Sequence, residues 1–174
     1  MEFNSRKIKL VIGLGNPDSR YENTYHNVGF LFVDGLRKSN ELPKSQILKS
    51  DAYMNLSGSF VARELKKRGL KPDELLVVHD DSDINLDKYK FSFGRGAAGH
   101  HGIESVIKAL GTKNFWRLRL GIRQETRLRQ GFGGQARARA NEFVLKKISS
   151  ANKKTIEKTF ASAMQNISRL QSKK

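Results

Sequence analysis

The stretch Lys7-Ile8-Lys9-Leu10-Val11-Ile12-Gly13-Leu14, running straight into Gly15-Asn16-Pro17, sets the frame for the chain. A short β-branched, apolar run that ends in glycines and a proline reads as a buried strand followed by a sharp turn. Working outward from it, Thr24 is the expected N-cap of a helix, because Val28, Leu31, Phe32 and Leu36 then recur at helical spacing. Pro43 breaks the chain, and Ile47-Leu48 is a short strand. Ser57 is read as the cap of a second helix with Phe60, Val61 and Leu65 on one face, stopping near Gly69 before Pro72. Leu75 to Val78 is continuously apolar, as in a central strand. Tyr89, Phe91 and Phe93 alternate with Lys90 and Ser92 at the strand period of two.

A Gly/Ala-rich loop from Gly94 to Gly102 leads into a helix carrying Ile103, Val106, Ile107 and Leu110. Trp116, Leu118 and Leu120 alternate with Arg117 and Arg119 in a further strand. The last helix places Ile156, Phe160, Ala163, Ile167 and Leu170 at 4-3-4-3 spacing, an amphipathic stripe. Strands alternating with helices predict an α/β fold: one three-layer α/β/α domain over residues 1–174, with a mixed, largely parallel sheet. Residues 127–139 (RLRQGFGGQARAR) break the pattern and are read as a flexible, basic Gly/Arg-rich loop.

The chain has 174 residues, no cysteine and 37% apolar content, enough for one buried core. Without cysteine there is no disulfide framework and no thiolate zinc site, which fits a reducing cytoplasm. No apolar run approaches the roughly 20 residues of a membrane span, and no apolar signal region precedes the first strand. The formal net charge is +16, and it is unevenly placed. Residues 1–109 carry 17 Lys/Arg against 14 Asp/Glu, whereas residues 110–174 carry 16 against 3. A one-sided basic field points to a polyanionic partner, with a nucleic acid favoured over a membrane surface.

Several chemistries fail on spacing. Gly13-x-Gly15 lacks the third glycine of a dinucleotide fingerprint, since Asp18 stands there. There is no G-x-S-x-G elbow and no Walker loop. His79-Asp80 and His100-His101 are metal-ligand types, but neither H-E-x-x-H nor H-x-x-E-H occurs, and no metal site is expected. His26 follows the first strand and Asp80 follows Leu75–Val78, so both lie where α/β sheets carry their sites, beyond the carboxyl ends of the strands. A carboxylate beside a histidine fixes its tautomer and raises its basicity, so the pair suits a general base acting on water. From these residues alone, a histidine at a helix start is more often structural, and the catalytic reading is the alternative.

Four segments taken together resemble the bacterial peptidyl-tRNA hydrolase family. They are Gly13-Leu14-Gly15-Asn16-Pro17 with Tyr21-x-x-Thr24-x-His26-Asn27-x-Gly29-Phe30; Tyr53-Met54-Asn55-Leu56-Ser57-Gly58; Val78-His79-Asp80-Asp81-x-Asp83; and Gly99-His100-x-Gly102-Ile103 followed by Arg117-Leu118-Arg119-Leu120-Gly121-Ile122. Order and spacing agree over nearly the whole chain. The resemblance implies hydrolysis of the ester between a peptide and tRNA, with His26 as general base and Asp80 orienting it. It implies Asn16, Asn55, Met54 and Tyr21 around the substrate, and Lys90 and Arg119 on phosphate near the tRNA acceptor end. It implies neither a metal nor a cofactor, and suggests a monomer in the cytoplasm. Lys108, Arg95, Arg117 and the 127–139 loop would extend the basic surface.

The chain also departs from the family pattern. His101 stands where the family has an asparagine near the catalytic pair, and is expected to take over its polar, substrate-binding role. Ser92 stands where a second basic residue is common, with Arg95 as a nearby substitute. Tyr25 and Asp18 replace a common arginine and glycine. The stretch between Leu36 and Tyr53 is shorter than in the family, which predicts a shortened sheet with an edge needing protection. Two competing functions remain: a non-enzymatic RNA-binding protein on this fold, and a cofactor-free hydrolase of small esters or amides.

Overall fold

A computed structural model describes residues 2–39, 41–124 and 143–172; the loop expected at 127–139 lies outside them. Five strands form one sheet: β1 (Leu10–Gly13), β2 (Gln46–Lys49), β3 (Leu75–Asn85), β4 (Tyr89–Phe93) and β5 (Trp116–Arg123), in the order β2-β1-β3-β5-β4. The β2–β1, β1–β3 and β3–β5 pairs are parallel, and only β4 runs antiparallel, against β5. The sheet is mixed and largely parallel, as expected.

The alternation along each strand sorts the core into two layers. Val11, Leu76, Val78, Trp116, Leu118 and Leu120 face α1 (Val28–Ser39) and α4 (Ser150–Ser172). Leu10, Ile12, Leu75 and Val77 face α2 (Ser57–Arg68) and α3 (His101–Leu110). The stripe on α4 is present: Ile156, Ala163 and Ile167 are buried, and Phe160 and Leu170 pack beside them. β1 is short and wholly buried because it lies between two strands and between both helical layers.

Local details differ from the expectations. Thr24 holds the N-cap position of a 3-10 turn over Tyr25–Asn27 that leads into α1, but its hydroxyl makes no cap bond and donates instead to the Tyr21 carbonyl at 2.8 Å. Leu56, not Ser57, holds the N-cap position of α2, and Ser57 is its first helical residue. The end of α2 is as expected, with Gly69 in the left-handed conformation at φ 62°. β3 does not stop at Val78, because its polar continuation keeps pairing with β5 through Asp81, then from Asn85 to Arg123 across an irregularity. The expected edge strand is β2, where Arg37 of α1 covers the Ile47 carbonyl with Nε at 3.0 Å and Nη2 at 2.7 Å.

Candidate active site

The helical approach to β1 and β3 is unusually close. A Cβ on Gly29 would lie 2.5 Å from the Leu14 carbonyl oxygen and 2.6 Å from that of Val78. Only glycine lets α1 start directly above these two strands, and that placement brings His26, three residues earlier, over the middle of β3. Its Nδ1 lies 2.8 Å from Asp80 Oδ1. The His26 side chain is 14% exposed and that of Asp80 is 3% exposed. Tyr25 anchors the same turn: it stacks on Phe143 at 4.4 Å, and its hydroxyl accepts from Gln124 and Asn152.

Burial opposes a charge on His26, but the Asp80 carboxylate outweighs it and holds the imidazole above its ordinary value. Burial likewise opposes a charge on Asp80, yet its two histidine partners hold it far below the usual carboxylate range. The pair is therefore poised as a carboxylate with a basic imidazole.

The pair opens into a cavity of about 620 Å³ whose walls include Asn16, Tyr21, Met54, Asn55 and His101. Asn16 is held tightly. Its backbone N–H donates to Asn27 Oδ1 at 2.8 Å, its carbonyl accepts from Asn27 Nδ2 at 2.9 Å, and its Oδ1 accepts the Met54 N–H at 2.8 Å. Those bonds leave its amide nitrogen Nδ2 without a partner among the described residues. Met54 is buried, Tyr21 is half-buried, and Asn55 is exposed. Asn27, which orients Asn16, stands in the first signature segment, but the sequence reading gave it no role.

His101 lies on the cavity wall but points away from the pair, with Nδ1 3.2 Å from Glu104 Oε2 and its side chain 63% exposed. It is His100 that reaches Asp80, its Nε2 lying 3.0 Å from the same Oδ1 that meets His26. The ligand atoms of His26, Asp80 and His100 all lie within 4.8 Å of one another, the spacing a bound ion would need. The two short contacts to a single carboxylate oxygen are equally those of two N–H donors, and His100 has the backbone partner that such a donor requires, since its Nδ1 faces the Ile103 N–H at 3.3 Å.

Of the basic candidates, Lys90 is exposed on β4 directly across the ladder from Arg119 on β5. Arg119 is not free: its Nε donates to Asp81 Oδ2 at 2.7 Å, at the cavity edge. Arg117 corrects the expected basic surface. It is 2% exposed, bonds the Gly96 carbonyl at 3.0 Å, and is pushed down to about 10, chiefly by burial and then by Arg119.

Comparison with known proteins agrees with this geometry. Residues 10–174 match the family model described as peptidyl-tRNA hydrolase. A peptidyl-tRNA hydrolase of Neisseria meningitidis serogroup A is 37% identical over 94% of this chain and 90% of its own length. One from Thermodesulfovibrio yellowstonii is 33% identical over 91% and 89%. The crystal structure of peptidyl-tRNA hydrolase from Acinetobacter baumannii superposes with a TM-score of 0.80 at 28% identity, covering 98% of this chain and 91% of that one. On the family match and these relatives, the chain belongs to the peptidyl-tRNA hydrolase family.

Proposed function

We propose that this chain hydrolyses the ester between a peptide, or an N-blocked aminoacyl group, and tRNA, releasing free tRNA and peptide. The observation that carries the reading is the buried Asp80 carboxylate bonded to His26 in the wall of a cavity that Asn16 and Asn55 also line. Asp80 accepts a hydrogen bond from the Nδ1–H of His26, so Nε2 keeps the lone pair. A water donates its proton to Nε2 as its oxygen attacks the ester carbonyl carbon. The free amide nitrogen of Asn16 and the amide of Asn55 are the donors for the carbonyl oxygen as it gains charge. Collapse breaks the bond to the ribose oxygen, which takes the proton from His26 Nε2. Base catalysis of this kind contributes about 10²–10⁴ in rate.

Met54 and Tyr21 belong to the apolar part of the wall, which suits varied peptide side chains. Lys90 and Arg119 supply positive charge for tRNA phosphate, and contacts of that type are largely indifferent to sequence. His101 offers a further polar contact to substrate at the mouth. The reading includes a single domain acting as a cytoplasmic monomer without a cofactor; among the described residues, no helix is long and apolar enough to cross a membrane.

The test compares two substrates: an N-blocked aminoacyl-tRNA, and a small N-blocked amino-acid ester lacking the nucleic acid. Salt-sensitive release from the tRNA alone supports the reading. Equal, salt-insensitive turnover of the small ester would favour a general esterase. Binding of tRNA without release would leave an RNA-binding protein.

A further inference from the structure

Asp80 Oδ1 faces two imidazoles, His26 Nδ1 at 2.8 Å and His100 Nε2 at 3.0 Å. The other nitrogen of His100 settles its state. His100 is the N-cap of α3, and its Nδ1 accepts the backbone N–H of Ile103 at 3.3 Å. A backbone N–H can only donate, so Nδ1 carries the lone pair and Nε2 carries the proton. His100 is thus fixed as a neutral donor to Asp80. Its ring is held edge-on against His79 at 4.7 Å and tilted against His26 at 5.3 Å, and its side chain is 11% exposed.

We propose that His100 is a positioning residue for the base: it holds the Asp80 oxygen that it shares with His26 and so limits how tightly His26 keeps its proton. This rests on the reading of His26 as the general base. A carboxylate oxygen that accepts two N–H donors divides its charge between them, so each donor weakens the pull on the other. Without His100 the whole attraction of that oxygen falls on His26. The base then stays protonated to higher pH, and the acid limb of the rate profile moves upward.

Other titratable groups line the same cavity, among them Tyr21, Tyr53 and Asp83. On β3, His79 is buried with Nδ1 on the Asp80 carbonyl at 2.6 Å, and Asp81 is paired with Arg119 of β5. On α3, His101 and Glu104 hold each other. Arg117 of β5 is a buried cation whose field reaches His79. Among the described residues, only His26 and His100 bond the Asp80 carboxylate.

The experiment measures kcat and KM against pH on N-blocked aminoacyl-tRNA, using the full chain and the variants His100→Phe and His100→Gln. Phe keeps a ring beside His79 but cannot donate, whereas the Gln amide restores a donor toward Asp80. His100→Phe is expected to shift the acid limb up by about one unit, an approximately tenfold lower rate on that limb, with KM changed less than about twofold. His100→Gln is expected to keep the limb near that of the native chain. An unshifted limb in a folded His100→Phe protein, or an equal shift in both variants, overturns the proposal. His100→Leu is the second donor-free variant should Phe not fit. Titration of the His26 ring by NMR reads the same coupling without turnover. A native-like rate in His26→Ala would sink the base assignment alone, and the NMR titration would still decide whether His100 acts on His26.

Discussion

His26 Nδ1 and Asp80 Oδ1 lie 2.8 Å apart although 54 residues separate them in sequence. The contact exists because α1 begins directly over β3, and the role of each partner can be tested separately. Asp80→Asn keeps the shape but replaces one acceptor with an amide that can present N–H, which favours the wrong His26 tautomer. kcat is expected to fall about 10²–10⁴-fold while tRNA affinity changes little. A fall in affinity with kcat preserved would mean that Asp80 serves binding instead.

Gly29 supports the same contact through packing. A methyl group at Gly29 would press on the Leu14 and Val78 carbonyls. Overpacking of this kind costs about 1–3 kcal/mol. Thermal melting of Gly29→Ala is therefore expected to drop by several degrees, on the order of 2–4 °C per kcal/mol at this size. Activity per folded molecule should drop too, since His26 is displaced with the turn. A melting point equal to that of the native chain would show that α1 does not need its close approach.

The histidines give stability a pH dependence with opposite signs. Burial holds His79 well below its ordinary value, and the field of the buried Arg117 cation adds to that. Its stabilisation is present above the unfolded value of about 6.5 and is lost as pH falls from there. His26 is held above its ordinary value, so its stabilisation is full below about 6.5 and is lost as pH rises through the folded value. Together they predict a stability maximum near neutrality, read by denaturant midpoints between pH 5 and 8. His79→Phe should flatten the acid side only; flattening on the alkaline side would refute this assignment. Asp80 acts in a lower window, losing its contribution only below about 3.9.

Arg119 is engaged by Asp81, so its removal has two consequences. Arg119→Ala should raise KM for tRNA-linked substrate and lower the slope of log affinity against log salt by about one. It also leaves the Asp81 charge uncompensated at the cavity edge, adding repulsion toward phosphate. Lys90→Ala should change the slope similarly with a smaller rise in KM. Unchanged salt slopes in both variants would remove the β4–β5 ladder from the tRNA surface.

Most of the architecture was legible because apolar periodicity decides it. The Leu10–Gly13 run, the alternation at Trp116–Leu120 and the stripe on α4 each assign a face without further information. What failed depended on tertiary cover. The strand period places Arg117 opposite Trp116, but not whether that face is wet, and Arg117 is buried with its guanidinium on the Gly96 carbonyl. The end of β3 was misplaced because Asp80 and Asp81 look like loop residues until histidine and arginine partners compensate them. The His26–Asp80 pair could be read from motif order. The contact of His100 with Asp80 could not, since it turns on cap geometry: His100 is the extended N-cap residue of α3, whereas His101 is its first helical residue and is exposed.

The most direct test follows release of the blocked amino acid from N-blocked aminoacyl-tRNA by the native chain and by His26→Ala, with folding and tRNA binding measured on the same samples. The expected result is release by the native chain, a loss of about 10²-fold or more in the variant, and equal tRNA binding by both. Undiminished release by a folded His26→Ala protein would contradict the account at its centre.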